Sequence, residues 1–128
     1  MNAAASEAVR AARRVLVVDD NRDSADSMAM LLQLRGYDVR VAYDGPEGVK
    51  AALGLAPDVV LCDIGLPGLD GFGVAKALRK HPQTAKARLI AITGYGSEQT
   101  KSLCQEAGFD RHFTKPVDPS VLAKLLAA

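Results

Sequence analysis

The stretch Val59-Val60-Leu61-Cys62-Asp63, emptying into Ile64-Gly65-Leu66-Pro67-Gly68-Leu69-Asp70-Gly71, decides how the rest of the chain is read. Four apolar residues bounded by turn-forming residues mark a strand buried on both faces. A carboxylate at the exit of such a strand is costly to bury unless something uses it, so Asp63 is the first candidate functional residue. Upstream, Val15-Leu16-Val17-Val18 closes in the same way on Asp19-Asp20. Two buried strands therefore deliver three carboxylates to one end of a sheet.

The segments between and beyond these strands alternate in period. Asn21 is placed to cap a helix carrying Ala25, Met28, Ala29, Leu31, Leu32 and Leu34, which Gly36 stops. Val39 and Val41 alternate with Asp38 and Arg40, the pattern of an edge strand with one wet face. Asp44-Gly45-Pro46 turns the chain into a helix through Val49, Ala52 and Leu53, ended by Ala56-Pro57. Gly71 precedes a helix through Phe72, Val74, Ala75 and Leu78, closed at Lys80-His81-Pro82. Leu89-Ile90-Ala91-Ile92 is a fourth strand, running out through Thr93-Gly94-Tyr95-Gly96, and Ser97 caps the helix that stops at Gly108. A short strand over Asp110 to Thr114 leads to Lys115-Pro116, and Val117 to Ala128 supply a last helix.

Five strands alternating with five helices predict an α/β, doubly wound (βα)5 flavodoxin-like fold with a five-stranded parallel sheet. Strands one, three and four are apolar throughout and belong inside; strands two and five are mixed and belong at the edges. The order 2-1-3-4-5 satisfies that pattern. In such a sheet the ligand site lies beyond the carboxyl ends of the strands, where strands one and three meet.

Composition excludes several functions. The chain has 128 residues, 48% hydrophobic and 24% charged, enough for one domain with its own core. A net charge of +1 gives no field that favours nucleic acid or an anionic membrane. Its apolar runs fall far short of the roughly 20 residues a membrane span needs, so no membrane insertion is expected. Met1 to Arg14 is alanine-rich and lacks the apolar core of a signal peptide, which points to a cytoplasmic protein. Residues 1–13 read as a lead-in or linker and 14–128 as the domain. Cys62 and Cys104 are too few and too far apart for a disulfide framework or a zinc site, and read as inert core thiols.

The strand ends assemble Asp19, Asp20, Asp63, Thr93 and Lys115. Three clustered carboxylates repel unless a cation neutralises them, and oxygen-only ligands suit Mg²⁺. Lys115 and the Thr93 hydroxyl supply a point charge and a donor on the far side, an arrangement fit for a phosphoryl group. Asp63, being central, is the expected nucleophile.

The chain resembles the response-regulator receiver domains of two-component signalling, from about Arg14 to the end. The resemblance rests on four motifs in register: Asp19-Asp20, Asp63 to Gly71, Thr93, and Lys115-Pro116. It implies that Asp63 accepts a phosphoryl group from a phosphohistidine on a histidine kinase or histidine phosphotransfer protein. It implies that Asp20 and Asp63 hold Mg²⁺ with the Gly65 backbone carbonyl, and that Asp19 acts through water. Lys115 is expected to pair with the phosphoryl group, its peptide bond to Pro116 is expected to be cis, and Thr93 is expected to hydrogen-bond the new phosphoryl oxygen.

Two positions depart from or add to the family pattern. His112 stands where the family usually has an aromatic residue that swings inward with the threonine; it reads as that switch or as a solvated histidine on an edge strand. Tyr95 reads as a cover that shields the acyl phosphate, or as a tyrosine merely lying on its loop. The Thr93-Gly94-Tyr95-Gly96 and Lys115-Pro116-Val117-Asp118-Pro119 stretches look most like receivers at the C-terminus of hybrid histidine kinases, and a stand-alone protein is the other reading.

Three further readings compete with a working receiver. The acids serve as helix caps in the first, which leaves Lys115 and Thr93 unexplained. The second is a Mg²⁺-dependent aspartyl-phosphate phosphatase, which needs a general acid two residues past the nucleophile, where Gly65 has no side chain. A receiver that only binds partners is the third, although such domains usually lack an acid or the lysine. The domain is therefore expected to assist its own phosphorylation without being a turnover enzyme. No basic recognition helix is apparent and no output domain is expected after Ala128, so signalling is expected to pass through protein contacts on the Ser97 helix, strand five and the last helix.

Overall fold

The computed structural model describes residues 13–94 and 96–127. Five strands, β1 (Arg14–Val18), β2 (Asp38–Ala42), β3 (Val59–Asp63), β4 (Arg88–Thr93) and β5 (Arg111–Thr114), form one parallel sheet in the order β2-β1-β3-β4-β5. The helices are α1 (Arg22–Leu34), α2 (Gly45–Leu55), α3 (Gly71–Lys80), α4 (Glu98–Ala107) and α5 (Pro119–Ala127). Among the described residues no helix is long and apolar enough to cross a membrane.

The pleat sorts the core into two layers. Leu16, Val18, Val60, Cys62, Leu89 and Ala91 face α2, α3 and α4. Val15, Val17, Val59, Leu61, Ile90 and Ile92 face α1 and α5. By the same alternation Asp19 and Asp63 continue the α1/α5 layer, while Thr93 continues the layer toward α4.

Local chemistry starts each helix. Asn21, Asp44, Asp70 and Ser97 each accept an N–H of the first turn of the helix that follows, at 3.1, 2.7, 2.9 and 3.1 Å. The last helix begins at Pro119, two residues later than expected, because Asp118 caps it. Its Oδ1 accepts the Ser120 N–H at 2.9 Å and the Ser120 hydroxyl at 2.7 Å, and Pro119 occupies the first helical position. Across the sheet's lower edge Arg79 of α3 donates to the carbonyls of Ala85, Ala87 and Gly108 and pairs with Asp110 at 3.0 Å. It fixes the loop after α3, the end of α4 and the entry to β5 to one another.

Candidate functional site

The carboxyl ends of β1, β3, β4 and β5 bring the acids, the threonine and the lysine together. Asp63 ends β3 at 8% exposure and Asp19 follows β1 at 9%, whereas Asp20 is exposed. One carboxylate oxygen from each of the three lies within 4.8 Å of the others. Asp19 is held by the Asn21 N–H, which donates to its Oδ1 at 2.9 Å.

Asp63 is gripped at both oxygens. The Gly65 N–H donates to Oδ1 at 3.1 Å and the Lys115 ammonium to Oδ2 at 2.7 Å. Lys115 also ties two strand ends together, since its own N–H donates to the Thr93 carbonyl at 2.7 Å. The Lys115–Pro116 peptide is cis. Thr93 is buried at the end of β4 beside Thr114.

The electrostatics follow from that crowding. Burial pushes the Asp19 carboxyl up, against the pull of the Asn21 N–H and the Lys115 ammonium, and the neighbouring Asp63 adds to the rise. Burial alone would lower Lys115, but its bond to Asp63 and the charges of Asp63, Asp19 and Asp20 outweigh it and hold the ammonium above its ordinary range. Three carboxylates against one ammonium leave an excess of negative charge with oxygen donors only. That donor set fits a hard divalent cation.

The loop behind Asp63 is shaped by close approach. A Cβ on Gly71 would lie 2.5 Å from the Asp63 carbonyl, and one on Gly45 would lie 1.8 Å from the Leu69 carbonyl. Neither contact has a signal in the local sequence. At Gly65, by contrast, a Cβ meets nothing within 4 Å, so packing does not require glycine two residues past Asp63.

His112 is half-buried on β5, in register with Ala91, and therefore on the α4 side. It lines a cavity of about 280 Å³ with Lys101, Cys104 and Phe109. It is not a fully solvated edge residue. The Tyr95 reading falls outside the described residues. Cys62 and Cys104 are buried and unpaired with each other, and burial pushes both thiols up, Cys62 far above the usual range with Asp63 and Asp19 adding to it. Both behave as inert core side chains.

The chain belongs to the response-regulator receiver domain family, whose model matches residues 15–127. It is 36% identical over 115 residues to the DNA-binding dual master transcriptional regulator RpaA of Synechocystis sp., a match covering 89% of this chain and 48% of that relative. The chain thus spans about half the length of that curated protein. The chemotaxis protein CheY4 of Vibrio cholerae superposes with a TM-score of 0.85 at 30% identity, covering 90% of this chain and 96% of that one. The receiver domain of the sensor histidine kinase PA1611 of Pseudomonas aeruginosa PAO1, which has a magnesium ion in its active-site cleft, superposes with a TM-score of 0.83 at 28% identity, covering 91% and 95%. The chain is a phospho-accepting receiver domain of two-component signalling.

Proposed function

We propose that Asp63 is the phospho-acceptor, loaded from a phosphohistidine of a histidine kinase or histidine phosphotransfer protein in the cytoplasm. The observation that carries this reading is the state of Asp63: nearly buried, with Lys115 Nζ 2.7 Å from Oδ2 and two more carboxylates beside it. The unit concerned is residues 14–128.

An Asp63 oxygen attacks phosphorus as the donor imidazole departs. The Gly65 N–H orients the carboxylate, and Lys115 transfers its ammonium from Asp63 to the arriving phosphoryl oxygens. Asp20, Asp63 and the Gly65 carbonyl would hold Mg²⁺, with Asp19 acting through water. Bound there, the ion would neutralise the phosphoryl charge. The domain is loaded rather than turned over, because Gly65 offers no side chain to activate a water against the acyl phosphate.

The Thr93 hydroxyl then hydrogen-bonds the phosphoryl group, and His112, on the same side of the sheet, moves with it. The change reaches a downstream protein through α4, β5 and α5, where Leu103 and Val121 are 42% and 48% exposed and offer apolar contact points. The test is intact mass after incubation with acetyl phosphate. A single phosphoryl adduct is expected on the wild type with Mg²⁺, and none on Asp63→Asn; an adduct that survives in the variant assigns the acceptor elsewhere.

A further inference from the structure

Of the five large apolar side chains exposed among the described residues, Met30, Leu31 and Leu34 stand together on α1, and Leu34 is the barest at 80%. Leu31 and Leu34 continue a line begun by Ser24 and Ser27, all four exposed, at the alternating three- and four-residue spacing of a helix–helix seam. The line is small in its first half and large in its second. Beside it, between α1 and the loop before α5, runs a groove of about 470 Å³ that Ser24, Ser27 and Leu31 line together with Val117 and Pro119. An apolar patch of this kind, next to an open groove, marks a surface made to be covered.

We propose that α1 pairs antiparallel with α1 of a second copy of this chain. One register sets Leu31 against Ser27 of the other copy and Leu34 against Ser24, and two-fold symmetry repeats both contacts, as a self-complementary interface requires. Every level then carries one large and one small side chain, so the helices approach closely and each leucine overhangs the groove beside the serine it meets. A parallel pair would set leucine on leucine and serine on serine, crowded at one end and hollow at the other. Charge selects the same orientation. Asp20 and Asp23 are exposed at the start of α1, where Arg22 is drawn off over the Tyr43 ring, 4.0 Å from its centroid. Arg35 caps the far end, exposed and without an ion pair among the described residues. Antiparallel pairing brings Arg35 of each copy toward the acidic end of the other and sets the two helix dipoles in opposition. A seam of four residues per copy falls below the ~1,200 Å² of standard interfaces, so the pairing is weak, with an expected dissociation constant of about 0.1 mM.

The experiment is sedimentation equilibrium without phosphodonor, over about 10 µM to 1 mM so as to bracket that constant. The wild type is expected to pass from monomer to dimer across the range. Leu34→Lys, at a position exposed enough to leave the fold intact, is expected to weaken the dimer at least about tenfold. Cross-linking reads the orientation. A mixture of Ser24→Cys and Leu34→Cys is expected to form a mixed disulfide on air oxidation, while Leu34→Cys alone is not; Cys62 and Cys104 are buried and stay out of the reaction. A wild type that remains monomeric throughout overturns the pairing and leaves the exposed leucines to a helix of a different protein. A dimer indifferent to Leu34→Lys overturns the α1 seam, and Leu34→Cys cross-linking to itself overturns the antiparallel register. These readouts do not involve Asp63, so its role as acceptor is tested separately.

Discussion

On the face covered by α2, α3 and α4, glycines let neighbouring segments approach closely. Gly45 admits the Leu69 carbonyl, Gly71 admits the Asp63 carbonyl, and Gly48 lets α2 settle onto Val18, whose Cγ1 lies 2.9 Å from where a Cβ would sit. On the opposite face α1 and α5 rest on larger side chains and leave the 470 Å³ groove open beside the acids. The difference separates two demands on one sheet. Asp63 must be held from behind within a few tenths of an ångström, while its front must stay reachable by a donor.

The sharpest way to break this contrast is to add one methyl on the tight face. Gly45→Ala is expected to cost about 3 kcal/mol, because the Leu69 carbonyl is backbone and cannot swing aside. Leu31→Ala, on the groove side, removes more atoms yet should cost less than about 1 kcal/mol, since Leu31 is 38% exposed. Urea midpoints of the two variants measure the asymmetry, and similar losses would erase it.

A smaller effect of opposite sign is expected at the front of the site. Without divalent cation, Asp19→Asn relieves a buried negative charge while leaving an oxygen for the Asn21 N–H, so it should raise the urea midpoint above wild type. Asp20, being exposed, should give less. Adding Mg²⁺ should favour the wild type and reverse the order.

The smallest effect concerns the edge of the loose face. The Ser120 hydroxyl and N–H hold the Asp118 carboxyl below its ordinary range. A folded-state pKa below the unfolded one gives stability that is present above the unfolded value and lost as pH falls through the folded one. Protection factors of the α5 amides, taken relative to the unstructured rate at each pH, should therefore fall on acidification below the usual carboxylate range, and in Asp118→Ala they should be low already at neutral pH.

Strand identities and order were legible because Val15–Val18, Val59–Cys62 and Leu89–Ile92 are short, uninterrupted apolar runs bounded by turn residues, as strands covered on both faces require. The acid cluster was legible because each acid stands directly after such a run. The sequence pattern starts α5 two residues early because apolar Val117 continues the helical run, although an aspartate followed by proline is a helix-start signal. Other features had no local signal. Arg79 reads as one more surface arginine until Ala85, Ala87 and Gly108 are brought round it by the fold. The groove is a space between α1 and the loop before α5, and a space between distant segments leaves no residue pattern of its own.

Lys115 reaches both faces, its ammonium on Asp63 at the front and its backbone N–H on the Thr93 carbonyl behind. Met28 and Leu31 of α1 line the open side of the acids, while the proposed output surface spans α4, β5 and α5. A change on α1 can therefore alter what approaches Asp63 without touching α4 or β5: new input can be tried on one helix while the listeners there go on hearing the same word.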